Sequence, residues 1–233
     1  MVKKLKKSPI SVIIRCKNEE RWIGHVIQSV LDKIYKPEIL IIDNKSTDET
    51  LAIVRSFVQD SSLSIKVSSS EGKYTDIKIL NLNNYTPGKA LNLGIKHASR
   101  KYIMIISAHC VLNKITIQDQ LKNLDEYIAV FGKQIPFYYG KRISKRYIWS
   151  HFLEKKKVNM YSALENRYFF HNAISLFKKS TLKKYPFPEI LVGKEDRYWI
   201  NQQVKNKKNF LYDPNIEVSH HYTSNGNTWK GIG

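Results

Sequence analysis

The sequence predicts an α/β fold with a mostly parallel central sheet and helices on both faces. Three observations carry that expectation. Short apolar runs alternate with amphipathic segments of helical period, the runs end on polar or charged residues, and 233 residues with 42% hydrophobic side chains supply one substantial core.

Ile10–Ile14 is a short β-rich apolar run. The EERWIGHVIQSVLDK segment after it repeats Trp22, Ile23, Val26, Ile27, Val30 and Leu31 at helical spacing. Glu38–Asp43 (EILIID) is again apolar and closes on a carboxylate, and Ser46 with Glu49 reads as a capping box ahead of the helix TLAIVRSFV. Strand-like stretches follow at Leu63–Val67 and Asp76–Leu80. TPGKALNLGIKHAS then reads as a loop leading into a helix, and KYIMIIS as the next strand. This first half is Rossmann-like. Such sheets bind ligands beyond the carboxyl ends of their strands, where Arg15–Glu19, Asp43–Asn44 and Ser107–His109 would emerge together.

Beyond residue 111 the pattern loosens. A helix is expected near Lys114–Tyr127, a strand at IAVFG, a strand at Ala173–Phe177 and a helix at Glu195–Lys205. The tail VSHHYTSNGNTWKGIG carries turn residues and paired histidines. Between them, Lys133–Lys157 interleaves Lys141, Arg142, Lys145, Arg146 and Lys155–Lys157 with Phe137, Tyr138, Tyr139, Tyr147, Trp149 and Phe152. Such a stretch suits an anionic glycan, a diphospholipid or a membrane surface, and equally a solvated face over core aromatics.

The 39 Lys+Arg against 20 Asp+Glu give a net charge of +19, which favours an anionic partner: lipid, nucleic acid or nucleotide. Two cysteines, Cys16 and Cys110, cannot build a disulfide framework, so a reducing, cytoplasmic setting is expected. The basic opening MVKKLKK precedes an apolar stretch too short for a signal peptide, and no run of about 18 uncharged apolar residues suggests a membrane span.

Four blocks, SVIIRCKNEERWI, EILIIDNKSTDET, PGKALNLGIKHASRKYIMIISAHC, and NAISLFKKSTLKKYPFP with GKEDRYW, together resemble the family-two glycosyltransferases of the GT-A fold. The likeness runs from about residue 9 to about residue 200, in the family's order. It implies one domain, with a nucleotide-sugar-binding half at about 9–110 and an acceptor-binding half at about 111–233. By that resemblance Arg15, Lys17 and Glu19 line the base and ribose, Asp43 with Asn44 reads the base, and Lys89 lies near the donor diphosphate. A strand-end Asp is also often only a turn residue, and the lesser alternative for Lys89 is a solvated loop lysine.

The sequence departs from the family at Ser107-Ala108-His109, where relatives carry an Asp-x-Asp motif that holds Mg²⁺ or Mn²⁺ against the diphosphate. Serine and imidazole are poor ligands for Mg²⁺, whereas Mn²⁺ accepts a histidine. Two readings stay open: His109 joins His220 or His221 around a divalent metal, or cationic side chains and helix N-termini serve without metal. His25, His97 and His151 read as structural or surface groups. In the acceptor-side block His171 and Asn172 are binding candidates. Glu195-Asp196 resembles the family's Glu-Asp motif, with Asp196 as the base and Glu195 as its partner or an acceptor ligand. The plainer alternative is two carboxylates favoured by a helix N-terminus.

The expected activity is inverting transfer of a sugar from a nucleotide donor to a glycan or lipid-linked glycan, by a cytoplasmic protein that can sit peripherally on an anionic membrane. Two other readings are a basic nucleic-acid-binding protein and a nucleotide-binding relative without catalysis. The first is disfavoured because the basic residues are dispersed and no nucleic-acid module is recognisable, so no nucleic-acid partner is expected. The second is disfavoured by the retained Glu195-Asp196.

Overall fold

The computed structural model describes residues 8–59, 76–143, 151–224 and 226. The expected strand at Leu63–Val67, the opening heptapeptide and the basic-aromatic residues Lys145, Arg146, Tyr147 and Trp149 lie outside the described residues. The first half alternates as β1 (Ile10–Cys16), α1 (Ile23–Lys33), β2 (Glu38–Asp43), α2 (Thr50–Gln59), β3 (Asp76–Asn81), α3 (Pro87–His97) and β4 (Tyr102–Ser107). The second half adds β5 (Cys110–Lys114), α4 (Ile117–Glu126), β6 (Val130–Tyr138), β7 (Lys141–Arg142), β8 (Lys157–Val158), β9 (Tyr161–Ser162), β10 (Arg167–Tyr168), β11 (Ile174–Lys178), α5 (Lys179–Lys184), α6 (Glu195–Lys205) and β12 (Leu211–His221).

One sheet runs β3-β2-β1-β4-β11-β6-β12-β5, with β7 beside β6 and β8 beside β12. Strands β3, β2, β1, β4, β6 and β12 point one way, and β11 and β5 the other. Helices cover both faces. Val12 and Ile14 of β1 face Val26 and Val30 of α1, Val54 of α2 and Leu124 of α4. Ile13 turns to the opposite face, where Leu91 of α3, Leu182 of α5 and Trp199 of α6 pack. This two-sided cover is why β1 reads as a continuous apolar run rather than an alternating one. In the aligned register, Cys16 lies opposite Asp43 and Arg15 opposite Ser107, so three strands end level at one edge of the sheet.

Glu38 fixes the other end of the sheet. It is fully buried and accepts from the Ser11 hydroxyl, the Ser99 amide at 2.7 Å and Lys78 Nζ at 2.7 Å. Burial alone would raise its pKa, but these donors outweigh burial and hold the carboxyl at about 2.

Four sequence expectations change. The capping box does not form: Ser46 Oγ donates to Asp43 at 2.6 Å, Glu49 N–H donates to Glu20 at 2.9 Å, and α2 starts at Thr50, whose amide is taken by Asp48 at 3.1 Å. The helix expected from Lys114 starts at Ile117, because Cys110–Lys114 is a strand paired with β12. The IAVFG strand continues to Tyr138, so the beginning of the basic-aromatic stretch belongs to the sheet. The tail, read only for its turn residues and paired histidines, opens inside a strand, since Val218–His221 belongs to β12. Leu211–His221 is an eleven-residue strand between β6 and β5, and its Asp213-Pro214-Asn215 turn signal is absorbed as an irregularity in register between Tyr212 and Glu217. Asp213 is fully buried there and accepts from Gln120 at 3.1 Å, the Asn215 amide at 2.9 Å and Lys156 at 3.1 Å.

Candidate active site

A cleft of about 660 Å³ opens over the carboxyl ends of β1 and β4. The strand ends of the first half supply Arg15, Lys17, Glu19, Asn44, Ser107, Ala108 and His109 to its lining, and the second half supplies His171, Asn172, Glu195 and Asp196. Residues scattered from 15 to 196 meet because parallel strands put their loops on one edge of the sheet, where the antiparallel β11 begins beside the end of β4 and the start of α6 reaches Arg15.

Glu195 and Asp196 open α6, where the helix dipole favours negative charge. They are held differently. Glu195 is buried and ion-paired to Arg15 at 2.9 Å, which joins the acceptor-side helix to the end of β1. Burial alone would lower the Arg15 pKa, but Glu195, Tyr85 and Asp196 raise it, so Arg15 is a fixed cation. Asp196 accepts from the Asn172 amide at 3.2 Å and from the Arg197 amide at 2.7 Å. Burial, reinforced by the adjoining Glu195 charge, pushes its carboxyl up to about 6. A carboxylate oriented by two amides, facing a cleft and ionised only above about pH 6 is equipped to take a proton at neutral pH.

His171 lines the cleft, but both its ring nitrogens are engaged. Nε2–H donates to Gly132 O at 3.1 Å and Nδ1 accepts from the Ala173 amide at 3.2 Å, while burial holds the ring neutral with a pKa of about 3. It positions the loop before β11 and cannot offer a hydrogen bond to an acceptor. Asn172 can. Its Oδ1 accepts from Ser175 at 2.9 Å, and its buried Nδ2 has no partner among the described residues.

A second cluster lies at the β4–β5 turn. One ligand atom each from His109, Cys110 and His220 lie within 4.8 Å of one another. His109 Nδ1 meets Glu19 Oε1 at 3.0 Å, and His220 Nδ1 meets Gln134 Oε1. Metal-bound imidazoles commonly carry such outer partners. Glu19 is buried, and its second carboxylate oxygen, Oε2, has no hydrogen-bond partner among the described residues. Burial raises the Cys110 thiol well above its ordinary range, so the thiol stays protonated in this arrangement. Burial, then the neighbouring His109, lowers His220, leaving its imidazole neutral as a ligand must be. Two neutral-capable imidazoles beside a carboxylate fit Mn²⁺ or a softer divalent ion better than Mg²⁺.

Of the two tail histidines, His220 is the one that lies against His109. Successive residues of β12 point to opposite faces, and His221 stacks on Trp22 at 3.8 Å between ring centroids and on Phe137 at 5.3 Å. Asp43 does not line the cleft. It is buried, and its carboxylate takes the Ser46 amide at 3.1 Å and the Ser46 hydroxyl at 2.6 Å, which ties down the loop that presents Asn44. Lys89 sits in the first turn of α3, where its amide donates to Thr86 Oγ1 at 3.2 Å; the cleft is reached from this region by Tyr85 and Pro87 instead. The sequence reading missed Tyr85, Gln134, Arg167 and Arg197 in the lining. Gln134 left little signal, beside Lys133 in a strand that is otherwise mostly apolar, whereas Arg197 stood beside Asp196 in the quoted motif.

Comparisons with known proteins bear on the fold and the family. The poly(ribitol-phosphate) β-N-acetylglucosaminyltransferase TarS of Staphylococcus aureus strain Mu50 is 28% identical over 120 residues, covering 50% of this chain and 19% of TarS. An uncharacterized glycosyltransferase of Rickettsia conorii is 34% identical over 129 residues, 55% of this chain and 19% of the relative. The chain therefore spans about a fifth of the length of these relatives. Among solved structures, S. aureus TarS 1–349 in complex with UDP-GlcNAc superposes with a TM-score of 0.69 at 20% identity, over 98% of this chain and 62% of that one. The mannosyltransferase PcManGT of Pyrobaculum calidifontis, in complex with GDP-Man and Mn²⁺, gives 0.65 at 18% identity, over 95% and 59%. These likenesses show the GT-A fold. The sequence profile described as glycosyl transferase family 2 matches residues 11–186, more than half of the chain. The chain belongs to glycosyl transferase family 2.

Proposed function

We propose that the cleft transfers a sugar from a nucleoside-diphosphate donor to a hydroxyl of a glycan or lipid-linked glycan, by direct displacement with inversion. The observation that carries this reading is Asp196, poised at the start of α6 in the cleft that the strand ends also line. Asp196 takes the proton of the acceptor hydroxyl as that oxygen attacks the anomeric carbon. The bond from that carbon to the diphosphate breaks, and the nucleoside diphosphate leaves with the electron pair. Glu195 acts as a positioning residue, because its carboxylate is committed to Arg15. Residues 9–110 supply the donor wall and 111–233 the acceptor wall, except that His220 crosses to the donor side through β12.

The TarS and PcManGT structures hold UDP-GlcNAc and GDP-Man with Mn²⁺, which supports a nucleotide-sugar donor and a divalent ion for this chain. His109 and His220 would hold such an ion, which when bound supplies positive charge to the leaving diphosphate. Lys17 lines the same part of the cleft. The net charge of +19 supports a location on an anionic membrane surface of the cytoplasm.

The test is Asp196→Asn. Release of nucleoside diphosphate should fall by about 10²-fold or more, the range of general-base contributions, while donor affinity stays unchanged. Undiminished release by the variant would remove Asp196 from the mechanism.

A further inference from the structure

Arg167 of β10 and Arg197 of α6 both line the cleft on the side of Asp196. They share one carboxylate, Glu165. Arg167 Nη2 pairs with one of its oxygens, and Arg197 Nη1 stands 3.5 Å from the other. Arg167 also donates from Nη1 to Tyr168 O at 3.1 Å, while its Nε is buried with no hydrogen-bond partner among the described residues. The Arg167 side chain is only 14% exposed. The two guanidiniums share Glu165, and Asp196 is the next carboxylate within electrostatic reach of both, in a partly desolvated part of the cleft. Burial, then repulsion from Arg197, lowers the Arg167 pKa against the opposing pull of Glu165 and Asp196.

A buried, unsatisfied guanidinium N–H beside a like charge is costly unless something completes it. The planar donor forks of arginine match the oxygens of a phosphate group. The position says which substrate brings that phosphate. Arg197 follows Asp196 directly in the chain, so a group docked on the two arginines flanks the hydroxyl that Asp196 deprotonates. The strand-end wall with His109 and Lys17 is where the donor diphosphate is proposed to lie.

We propose that Arg167 and Arg197 form an anion subsite that grips a phosphate group carried by the acceptor, as a monoester or diester next to the attacked hydroxyl. The assignment to the acceptor rests on the proposed transferase reading; the anion subsite itself does not.

The test is calorimetric titration of the full chain with glycerol 3-phosphate and, as the neutral control, glycerol. Each titration is run alone and with a saturating nucleoside diphosphate, on the wild type, Arg197→Gln and Glu165→Gln. Glycerol 3-phosphate should bind with and without nucleotide, and glycerol should not. Arg197→Gln should weaken that binding by about tenfold, the scale of one charge-assisted hydrogen bond, and leave nucleotide affinity unchanged. Glu165→Gln, which releases both guanidiniums, should tighten it several-fold, a direction that mere damage to the fold would not produce.

Absence of glycerol 3-phosphate binding, or binding indifferent to both variants, would overturn the subsite. If nucleotide displaces glycerol 3-phosphate and Arg197→Gln weakens both alike, the arginines serve the donor diphosphate and the acceptor assignment falls. Failure of every nucleotide to bind, with glycerol 3-phosphate still held through Arg197, would sink the transferase reading and leave the anion subsite standing.

Discussion

Asp196 and Glu38 are two carboxylates whose surroundings move them in opposite directions, and the pH behaviour of each follows. The Asp196 carboxyl is raised to about 6, so the folded state holds a proton that the unfolded chain releases near the ordinary aspartate value. Stability from this group is therefore lost as pH rises between about 4 and about 6. Asp196→Asn should raise the thermal midpoint at pH 7.5 while abolishing turnover, and the gain should vanish near pH 4; a lower midpoint at pH 7.5 would contradict the assignment. The wild type should also lose its rate as pH falls through about 6, which a pH–rate profile reads directly. Glu38, lowered to about 2, contributes stability that is present above about pH 4.5 and lost as pH falls toward 2. Glu38→Gln should cost about 1–3 kcal/mol at pH 7 in denaturant unfolding, since three donors lose a charged acceptor. At this scale the sequence showed Glu195 and Asp196 through their motif. It could not show that Asp43 would be spent on Ser46, or that both nitrogens of His171 would be engaged, because those outcomes depend on which neighbours the fold delivers.

The strand–helix alternation of the first half was legible because each element announces itself within its own residues, in an apolar run or a helical stripe. The strand β12 was not. Its Asp213-Pro214-Asn215 reads locally as a turn, and only the burial of Asp213 against Gln120 and Lys156 turns that signal into a kink within a strand. This strand brings His220 to His109, so the missed element is also the one that completes the cluster at the β4–β5 turn. The PGKALN segment offers a second lesson. Gly88 is there for close approach: a Cβ would come within 2.0 Å of Pro188 O, where α3 meets the loop leading to Glu195. Thr86 Oγ1 donates to Glu189 O at 2.6 Å and Asn92 Nδ2 to Phe187 O at 2.9 Å across the same contact. Gly88→Ala should destabilise the fold by about 1–3 kcal/mol through backbone displacement. It should also slow turnover by disturbing the approach to α6. A variant with unchanged thermal midpoint and rate would show that this contact yields freely.

Across the whole molecule, the sheet joins the two proposed halves rather than separating them, since β12 from the end of the chain lies between β6 and β5. Among the described residues no helix is long and apolar enough to cross a membrane. Ile190 and Val192 stand 90% and 88% exposed on the loop that leads to α6, in a chain of net charge +19. Cosedimentation should show binding to vesicles containing anionic lipid at low salt, with release at about 0.5 M salt as the screening length shortens. Binding equal on neutral vesicles would contradict an electrostatic attachment. The central claim is that one wall of the cleft holds a nucleotide-sugar while Asp196 drives its transfer. Its most direct test measures binding and nucleoside-diphosphate release together across UDP-, GDP-, CDP- and dTDP-sugars, with Mn²⁺ or EDTA, for the wild type and Asp196→Asn. The account predicts one donor class bound equally by both proteins and turned over only by the wild type. Equal release by both, or no donor bound by either, would contradict it.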